Sequence, residues 1–441
     1  MNESATAPTP GAPDKKKPRV FYGWWIVAAC FSLSFYIGGT ITYSFSSLVD
    51  PLVRQFGHYA EVSLIASLRG LETGLLSPVV GFLVDKLGPR KILAIGAVIA
   101  SSALFLMQFI NSLFLLYAIF ILLALGNSFL TGTPTLTAVA NWFKRKIGIA
   151  NGIMLSGLGL SGLMVPFVTG MIDTQGWQKA MQWIGVGLII VIIPCIFVMR
   201  HKPEQYGMLP DGDPAPPKPA VDAAVSKQPT GSAEDMPLKK AWKMRPFWHL
   251  TFAGLMQNIL ITAIFTHLIP YLTGPDCRIV GLSRSQAAFI FGAIPVVSVI
   301  GRLGAGWLGD RFNIRKTIAA GYGCLALGVL FLSLIPWLGW WALIPFVPAM
   351  SIGYGSIVTL NAAIIRKYFG VKNFGTIFGG MIAISLVGGV ASPWIAGKVF
   401  DTWQTYSWLW PAYVVLGAAG AVALFTMPNL RTNTAEKSPT V

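Results

Sequence analysis

Ionisable side chains are scarce in the apolar runs of this chain, and each needs a physical reason for being there. Arg302 stands eight residues before Asp310, which ends its run. At ~1.5 Å of rise per helical residue it lies roughly 12 Å inside. A planar guanidinium with a fixed fork of donors suits a carboxylate held by two hydrogen bonds. The plainer reading is that Arg302 snorkels along its own stem to the interface. Arg69 and Glu72 are spaced i, i+3 on one helix face, either as a buried structural ion pair or as a pair whose partners exchange during function. His267 suits a proton carrier, or serves as a packed hydrogen-bonding group. Because Arg69 and Glu72 cancel, Arg302 is left unpaired at depth. The count favours a monoanion; a dianion would want a second cation. Glu72, Arg69 and His267 are the proton-coupling candidates. Among the polar residues Tyr36, Tyr43, Asn127, Thr131, Gln257, Asn258, Tyr354 and Asn361, each either lines such a site or makes a helix–helix hydrogen bond. The expected substrate-binding set is Arg302, Tyr36, Asn127, Gln257 and Asn361.

These residues must be carried by membrane-crossing helices. Hydrophobic residues make up 54% of the 441 and charged residues 11%, against roughly 25% charged in a soluble domain; mean hydropathy is +0.63. Apolar runs near the ~20 residues that cross a bilayer recur. The expected spans are 24–46, 62–84, 92–111, 113–139, 148–172, 180–199, 248–272, 286–308, 317–336, 340–365, 375–399 and 408–427, six in each half. The net charge of +16 is not a nucleic-acid signal, because its basic residues cluster in alternate loops. Lys15–Lys17, Lys86, Arg90, Lys91, Lys144–Lys146, Arg200, Lys202, Lys239–Arg245, Arg311, Arg315, Lys316, Arg366 and Lys367 all fall on one side if the spans alternate. The positive-inside rule makes that side cytoplasmic, with both termini and the middle loop. The four cysteines imply no disulfide framework, and neither a metal-ligand cluster nor a nucleophile–base pair stands out, so no metal, no cofactor and no enzyme activity are expected.

The chain repeats itself. GFLVDKLGPRK (81–91) and GWLGDRFNIRK (306–316) place Gly, Asp and a basic cluster in the same order, 225 residues apart. Gly148/Gly375, Gly152/Gly379, Pro166/Pro393 and Gly170/Gly397 recur at 227. Both repeats keep the same side of the membrane, so the halves are parallel repeats with a site between them near the midplane. Small residues at these places allow close helix approach. The fold class is an all-α membrane protein of twelve transmembrane helices in two parallel six-helix pseudo-repeats. The expected parts are a disordered cytoplasmic tail (1–20), an N-terminal bundle (21–200), a cytoplasmic linker (201–245) whose 211–236 stretch cannot bury enough apolar surface to order itself, a C-terminal bundle (246–428) and a tail (429–441). Gly157–Gly162 fits G-x-G-x-x-G, but inside a long apolar helix it is packing rather than a dinucleotide loop.

The signature residues Gly81, Asp85, Lys86, Gly88, Arg90 and Lys91, with Gly306, Asp310, Arg311, Arg315 and Lys316 in the second copy, resemble the span 2–3 motif of the major facilitator superfamily. FYGWWIV (21–27), NWFKRKIGIANG (141–152), PEQYGMLPDG (203–212), the THLIPY stretch (266–271), IGRLGAGWLGDR (300–311) and YFGVKNFGTIFG (368–379) resemble more narrowly its bacterial monocarboxylate-transporter-like and oxalate/formate-antiporter-like branch. The resemblance implies that Gly81, Asp85, Arg90, Asp310, Arg311 and Arg315 gate the cytoplasmic side. Asp85 and Asp310 are then either latches that pair in one state or caps of tight turns. It implies Arg302 as the substrate anchor. It also places Ser385, Thr40 and Ser298 where those groups carry a span 11 lysine, a span 1 lysine and a span 8 aspartate. The expected protein is a multi-pass monomer of a bacterial inner membrane. It would carry lactate-, pyruvate- or formate-like anions with a proton or counter-anion, by symport or antiport. The alternatives are an oxalate/formate or dicarboxylate exchanger, and a non-transporting receptor or scaffold.

Overall fold

The computed structural model describes residues 21–206, 208–212, 238–370 and 374–428; the side chains of 71–75, 77, 78, 238, 239, 374 and 375 lie outside that description. Among the described residues the chain is helical, with no strand. Eleven helices are long and apolar enough to cross a membrane: Gly23–Phe56, Pro89–Phe109, Leu113–Trp142, Ile147–Gln175, Trp177–Val198, Arg245–Thr273, Arg284–Arg311, Ile314–Leu338, Trp340–Phe369, Thr376–Trp403 and Leu409–Thr426. A further 29-residue helix, Tyr59–Leu87, carries Arg69 and Glu72 and falls second in order. In chain order these twelve are spans 1 to 12. Helices dominate because a chain in lipid must satisfy its backbone polar groups internally.

The repeat is visible in the packing. Spans 3 and 4 approach where a methyl at Gly126 would sit 2.6 Å from the Ala100 nitrogen. Spans 9 and 10 approach where a methyl at Gly353 would sit 2.5 Å from the Leu325 nitrogen. The motif glycines match too: Gly81 faces the Thr133 methyl and Gly306 the Thr359 methyl. Among the described residues the expected small-residue contacts at Gly148, Gly152, Gly170 and Gly379 are not made, nothing lying within 4 Å of a methyl there, whereas Gly397 packs on the Tyr59–Ala60 backbone. Close approach falls instead to the G-x-G-x-x-G run. Gly157 meets the Phe31 carbonyl, Gly159 meets Val299, and a methyl at Gly162 would strike the Gly292 carbonyl. That run therefore packs span 5 against spans 1 and 8.

Two spans depart from regular helix. Span 1 contains a π-helical turn, Gly38–Tyr43, and then continues as helix to Phe56, ten residues past its expected end. Span 4 breaks at Thr131–Gly132, where Gly132 has φ 69, a conformation glycine adopts without strain. Irregular backbone at this depth is tolerated where protein or a cavity satisfies it; π-turns of this kind recur at functional sites.

Loops at the two ends differ. One end, here the basic end, gathers the loops rich in Lys and Arg; the other is the far end. At the basic end the chain packs for a further dozen residues beyond span 6. Arg200 stacks between the rings of Tyr22 and Tyr206, at 3.9 and 4.3 Å. The indole of Trp142 donates to the Arg200 carbonyl at 3.2 Å. The Asp211 carboxylate accepts the backbone N–H groups of Lys144, Arg145 and Lys146 at 2.9, 2.8 and 3.2 Å. Asp211 and Gly212 both take positive φ, which turns the carboxylate back onto that loop. Slight burial works against its ionised form, but the donors from Arg145, Lys144 and Lys146 prevail and hold the carboxyl below its usual range.

A depressed carboxyl pKa contributes stability that is complete above the ordinary value near ~3.9 and fades as pH falls through the folded one. Asp211→Asn should therefore speed amide hydrogen exchange at residues 144–146 at pH 7, and the difference from wild type should shrink on acidification towards pH 3. Equal exchange in the two proteins at pH 7 would show that the strap does not depend on that charge.

Candidate functional site

Arg302 is half-buried on span 8. Ser283 and Gln286 start that helix with a reciprocal capping box. Span 10 reaches span 8 closely at Gly355, where a methyl would sit 3.0 Å from the Arg302 nitrogen, and this brings Tyr354 beside the guanidinium. The Arg302 Cζ lies 6.0 Å from the Tyr354 ring centre, within cation–π range. One guanidinium nitrogen donates to the Leu155 carbonyl of span 5 at 3.2 Å. Its Nε is buried without a hydrogen-bond partner. Among the described residues no carboxylate pairs with Arg302; the Arg284–Asp173 pair is the ion pair found there.

Tyr43, at the end of the π-turn, is buried and interacts with both Tyr354 and Arg302. Phe265 joins the group, its ring centre 5.6 Å from Tyr43, 5.5 Å from Phe291 and 5.3 Å from Tyr354. An aromatic roof drawn from spans 1, 7, 8 and 10 thus adjoins the guanidinium through Tyr354 and Tyr43. Such a pocket can take a planar anion on its cation and apolar substance against its rings.

Of the expected binding set, Gln257 and Asn361 come together through Tyr322, whose hydroxyl donates to Gln257 Oε1 at 3.3 Å and also meets Asn361. Asn361 lies two helical turns from Tyr354 on span 10, on the same face. Asn127 stands at the break in span 4, half-buried, with the Thr131 hydroxyl 3.5 Å from its Oδ1. Tyr36 is drawn elsewhere: its hydroxyl donates to the Ile184 carbonyl of span 6 at 2.7 Å, beside Gly187. Asn258 donates within its own helix to Gly254. Thr40, Ser298 and Ser385 each bond a backbone carbonyl nearby.

The coupling candidates fall elsewhere. Arg69 lies over the Phe45 ring at 5.4 Å. The Glu72 side chain, and with it the expected Arg69–Glu72 pair, lies outside the described residues. His267 is fully buried away from Arg302. Its Nε2 lies 3.0 Å from the Pro393 carbonyl and 3.1 Å from Ser63 Oγ, and its Nδ1 lies 2.9 Å from the Tyr406 hydroxyl. A carbonyl only accepts, so Nε2 carries the proton and Nδ1 accepts from Tyr406.

Motif residues at the basic end make no cross-half ion pair among the described residues. Arg90 stacks on Phe197, Arg311 on Trp307, and Arg315 donates to the Met427 carbonyl at the end of span 12. Asp85 and Asp310 are exposed. His201 packs on Gly88; burial and Lys202 hold its imidazole below the usual range, against the pull of Asp85.

The sequence reading left Leu155, Phe265, Phe291, Asp50, Asp173 and Asp401 unnamed. Leu155 acts through its backbone, which no side-chain pattern reveals. Asp50 was hidden because span 1 runs beyond its expected end, and its carboxylate accepts the Tyr59 hydroxyl at 2.9 Å.

With this geometry in view, the comparisons with known proteins agree with one another. The chain matches the Major Facilitator Superfamily over residues 24–393 and again over 278–440, and it belongs to that family. It is 26% identical to monocarboxylate transporter 12 of Rattus norvegicus over 422 residues, covering 90% of this chain and 83% of the relative. It is 26% identical over 423 residues to YcxA, an uncharacterized MFS-type transporter of Bacillus subtilis (strain 168), covering 90% and 93%. A bacterial homologue of the human lysosomal transporter Spinster shares the fold, with a TM-score of 0.65 at 15% identity over 92% of this chain and 94% of that one.

Tyr36→Phe tests the division between site and scaffold. Losing the bond to Ile184 should cost about 1 kcal/mol of stability, read as a lowered Tm, and leave substrate affinity unchanged within twofold. A large loss of affinity without a Tm shift would return Tyr36 to the site.

Proposed function

We propose that this transporter carries small organic monocarboxylates, such as lactate-, pyruvate- or formate-like anions, by alternating access between its two halves. The carrying observation is the Arg302 guanidinium: a cation at depth, met by a carbonyl, a ring and no carboxylate among the described residues. A bidentate carboxylate would supply the missing charge and engage the Nε donor that now lacks a partner. The aromatic roof suits a short apolar tail and, among the described residues, offers a second carboxylate no cation. An oxalate-like dianion would want a further cation, and the place that the resemblance gives it holds Ser385. The monocarboxylate transporters among the relatives support the same substrate class.

Contacts between the halves support a state open towards the basic end, the cytoplasmic side by the charge rule. Apart from Arg302 to Leu155, the cross-half hydrogen bonds among the described residues gather at the far end. With Thr40 and Ser298 uncharged, proton coupling would fall to Glu72, with Arg69, or to His267. His267 can trade a proton with water only when the far end opens. A proton gradient and exchange against a counter-anion remain the two sources of drive, and one assay separates them.

Proteoliposomes loaded with or without a counter-anion, given labelled lactate with and without an inward proton gradient, are expected to show uptake that the gradient accelerates. Arg302→Lys should lower kcat/KM by roughly 10- to 100-fold, the loss of a second charge-assisted hydrogen bond. No uptake of any carboxylate would overturn the assignment, and unchanged kinetics in Arg302→Lys would exclude bidentate recognition. Glu72→Gln or His267→Gln should abolish gradient-driven accumulation while sparing exchange; accumulation intact in both would remove Glu72 and His267 as the proton carriers, and no effect of the gradient on wild-type uptake would remove the proton from the account.

A further inference from the structure

The far end of the seam is closed twice by the same type of residue. Span 5 ends in Gly170-Met171-Ile172-Asp173-Thr174, and span 11 ends in Gly397-Lys398-Val399-Phe400-Asp401-Thr402. The two stretches occupy corresponding places in the repeat, with one residue inserted in the second. Each aspartate reaches the start of the second span of the opposite half. Asp401 Oδ1 and Oδ2 accept the backbone N–H groups of Tyr59 and Ala60, both at 2.9 Å. Asp173 Oδ1 lies 2.7 Å from a guanidinium nitrogen of Arg284, and Arg284 also donates to the Ser47 carbonyl at 2.7 Å.

The different chemistry at the two corners follows from local capping. Span 8 is capped by its own Ser283 and Gln286, each side chain accepting the other's backbone N–H, and it offers Asp173 the side chain of Arg284 instead. Span 2 has no such cap: His58 precedes it with no side-chain hydrogen bond to the helix. Its first two N–H groups are orphan donors at the positive end of a helix dipole. They are satisfied across the seam by a carboxylate from the other half. Gly397 lets span 11 lie on the Tyr59–Ala60 backbone closely enough for this, and the Phe400 ring meets Tyr59 edge to face with centres 4.6 Å apart.

We propose that Asp173 and Asp401 are the paired gate residues of the far end, positioning residues that hold the two halves together in this state and release when it opens. The inference rests on the reading that the halves rock apart. It gives the far end a gate built on the pseudo-two-fold axis: one corner is an ion pair and the other a helix cap supplied in trans. Neither residue touches the Arg302 pocket, so the gate acts on which state is populated rather than on recognition.

Hydrogen exchange read by mass spectrometry on the full-length protein in lipid nanodiscs tests it without any substrate. Asp401→Asn keeps size and one acceptor but loses the charge and the paired acceptance; it should speed exchange at residues 59–63 about tenfold and leave 284–288 unchanged. Asp173→Asn should do the reverse, the double variant should loosen both, and Asp401→Glu should restore protection at 59–63. Unchanged protection in both single variants would overturn the proposal. So would an equal rise throughout spans 3 and 9, which would mark general destabilisation. Selective loosening in a protein that transports no carboxylate would keep the gate and remove the substrate assignment. Transport intact with no loosening would remove the gate alone.

Discussion

A guanidinium inside an apolar bundle must be solvated by something the fold supplies, and the packing around Arg302 is that supply. Gly355 admits span 10 to the backbone of span 8, which sets the Tyr354 ring beside the charge. Span 5 gives the Leu155 carbonyl from the opposite half. Span 1 gives Tyr43 through a turn of π-helix. These neighbours are dipoles and a quadrupole; among the described residues none is an anion. The arrangement lowers the cost of the buried cation without cancelling its charge. Under the proposed function such a site leaves the charge available to an anion that arrives and leaves, which a permanent ion pair would prevent.

The same economy governs the seam. In lipid no water stands ready to satisfy a polar group that is pulled away from its partner. Polar contacts between halves that must separate therefore belong at an end, where water can replace them. Ser46, Ser47, Ser63, Asp173 and Asp401 make such contacts at the far end. Deeper in, apart from the contacts of Arg302 with Leu155 and Tyr43, the halves meet through glycine and apolar surfaces, as where Gly162 lies on Gly292. His267 sits at the boundary between these regimes, fully bonded while the seam is closed. The superfamily motif at the opposite end is in the complementary condition, Arg90 and Arg311 resting on aromatic rings and Arg315 on the Met427 carbonyl, all within their own halves.

The repeated motif, the helical character and the place of Arg302 within span 8 were legible in the sequence because they depend on hydropathy, spacing and charge alone. The packing role of the G-x-G-x-x-G run was legible for the same reason. What escaped the sequence depends on helix phase and on backbone. Tyr36 and Tyr43 are seven residues apart and would share a face of a regular α-helix. The π-turn between them takes more residues per turn, so Tyr43 swings to the Arg302 pocket while Tyr36 stays against span 6. The break at Thr131–Gly132 is similarly hidden in an apolar run, where only the glycine marks it. Asp173 and Asp401 read as loop residues because their partners are helix ends and side chains remote in sequence.

The central claim is that Arg302 holds the carboxylate between the halves. A crystal structure with a brominated short-chain carboxylate such as 2-bromopropionate addresses it directly, since the anomalous signal of bromine locates the ligand without interpretation of shape. The account predicts one dominant peak under the rings of Tyr43, Tyr354 and Phe265, with the carboxylate oxygens within ~4 Å of the Arg302 guanidinium, the reach of an ion pair. A dominant peak elsewhere in the bundle, with Arg302 still bonded to the Leu155 carbonyl alone, would contradict it.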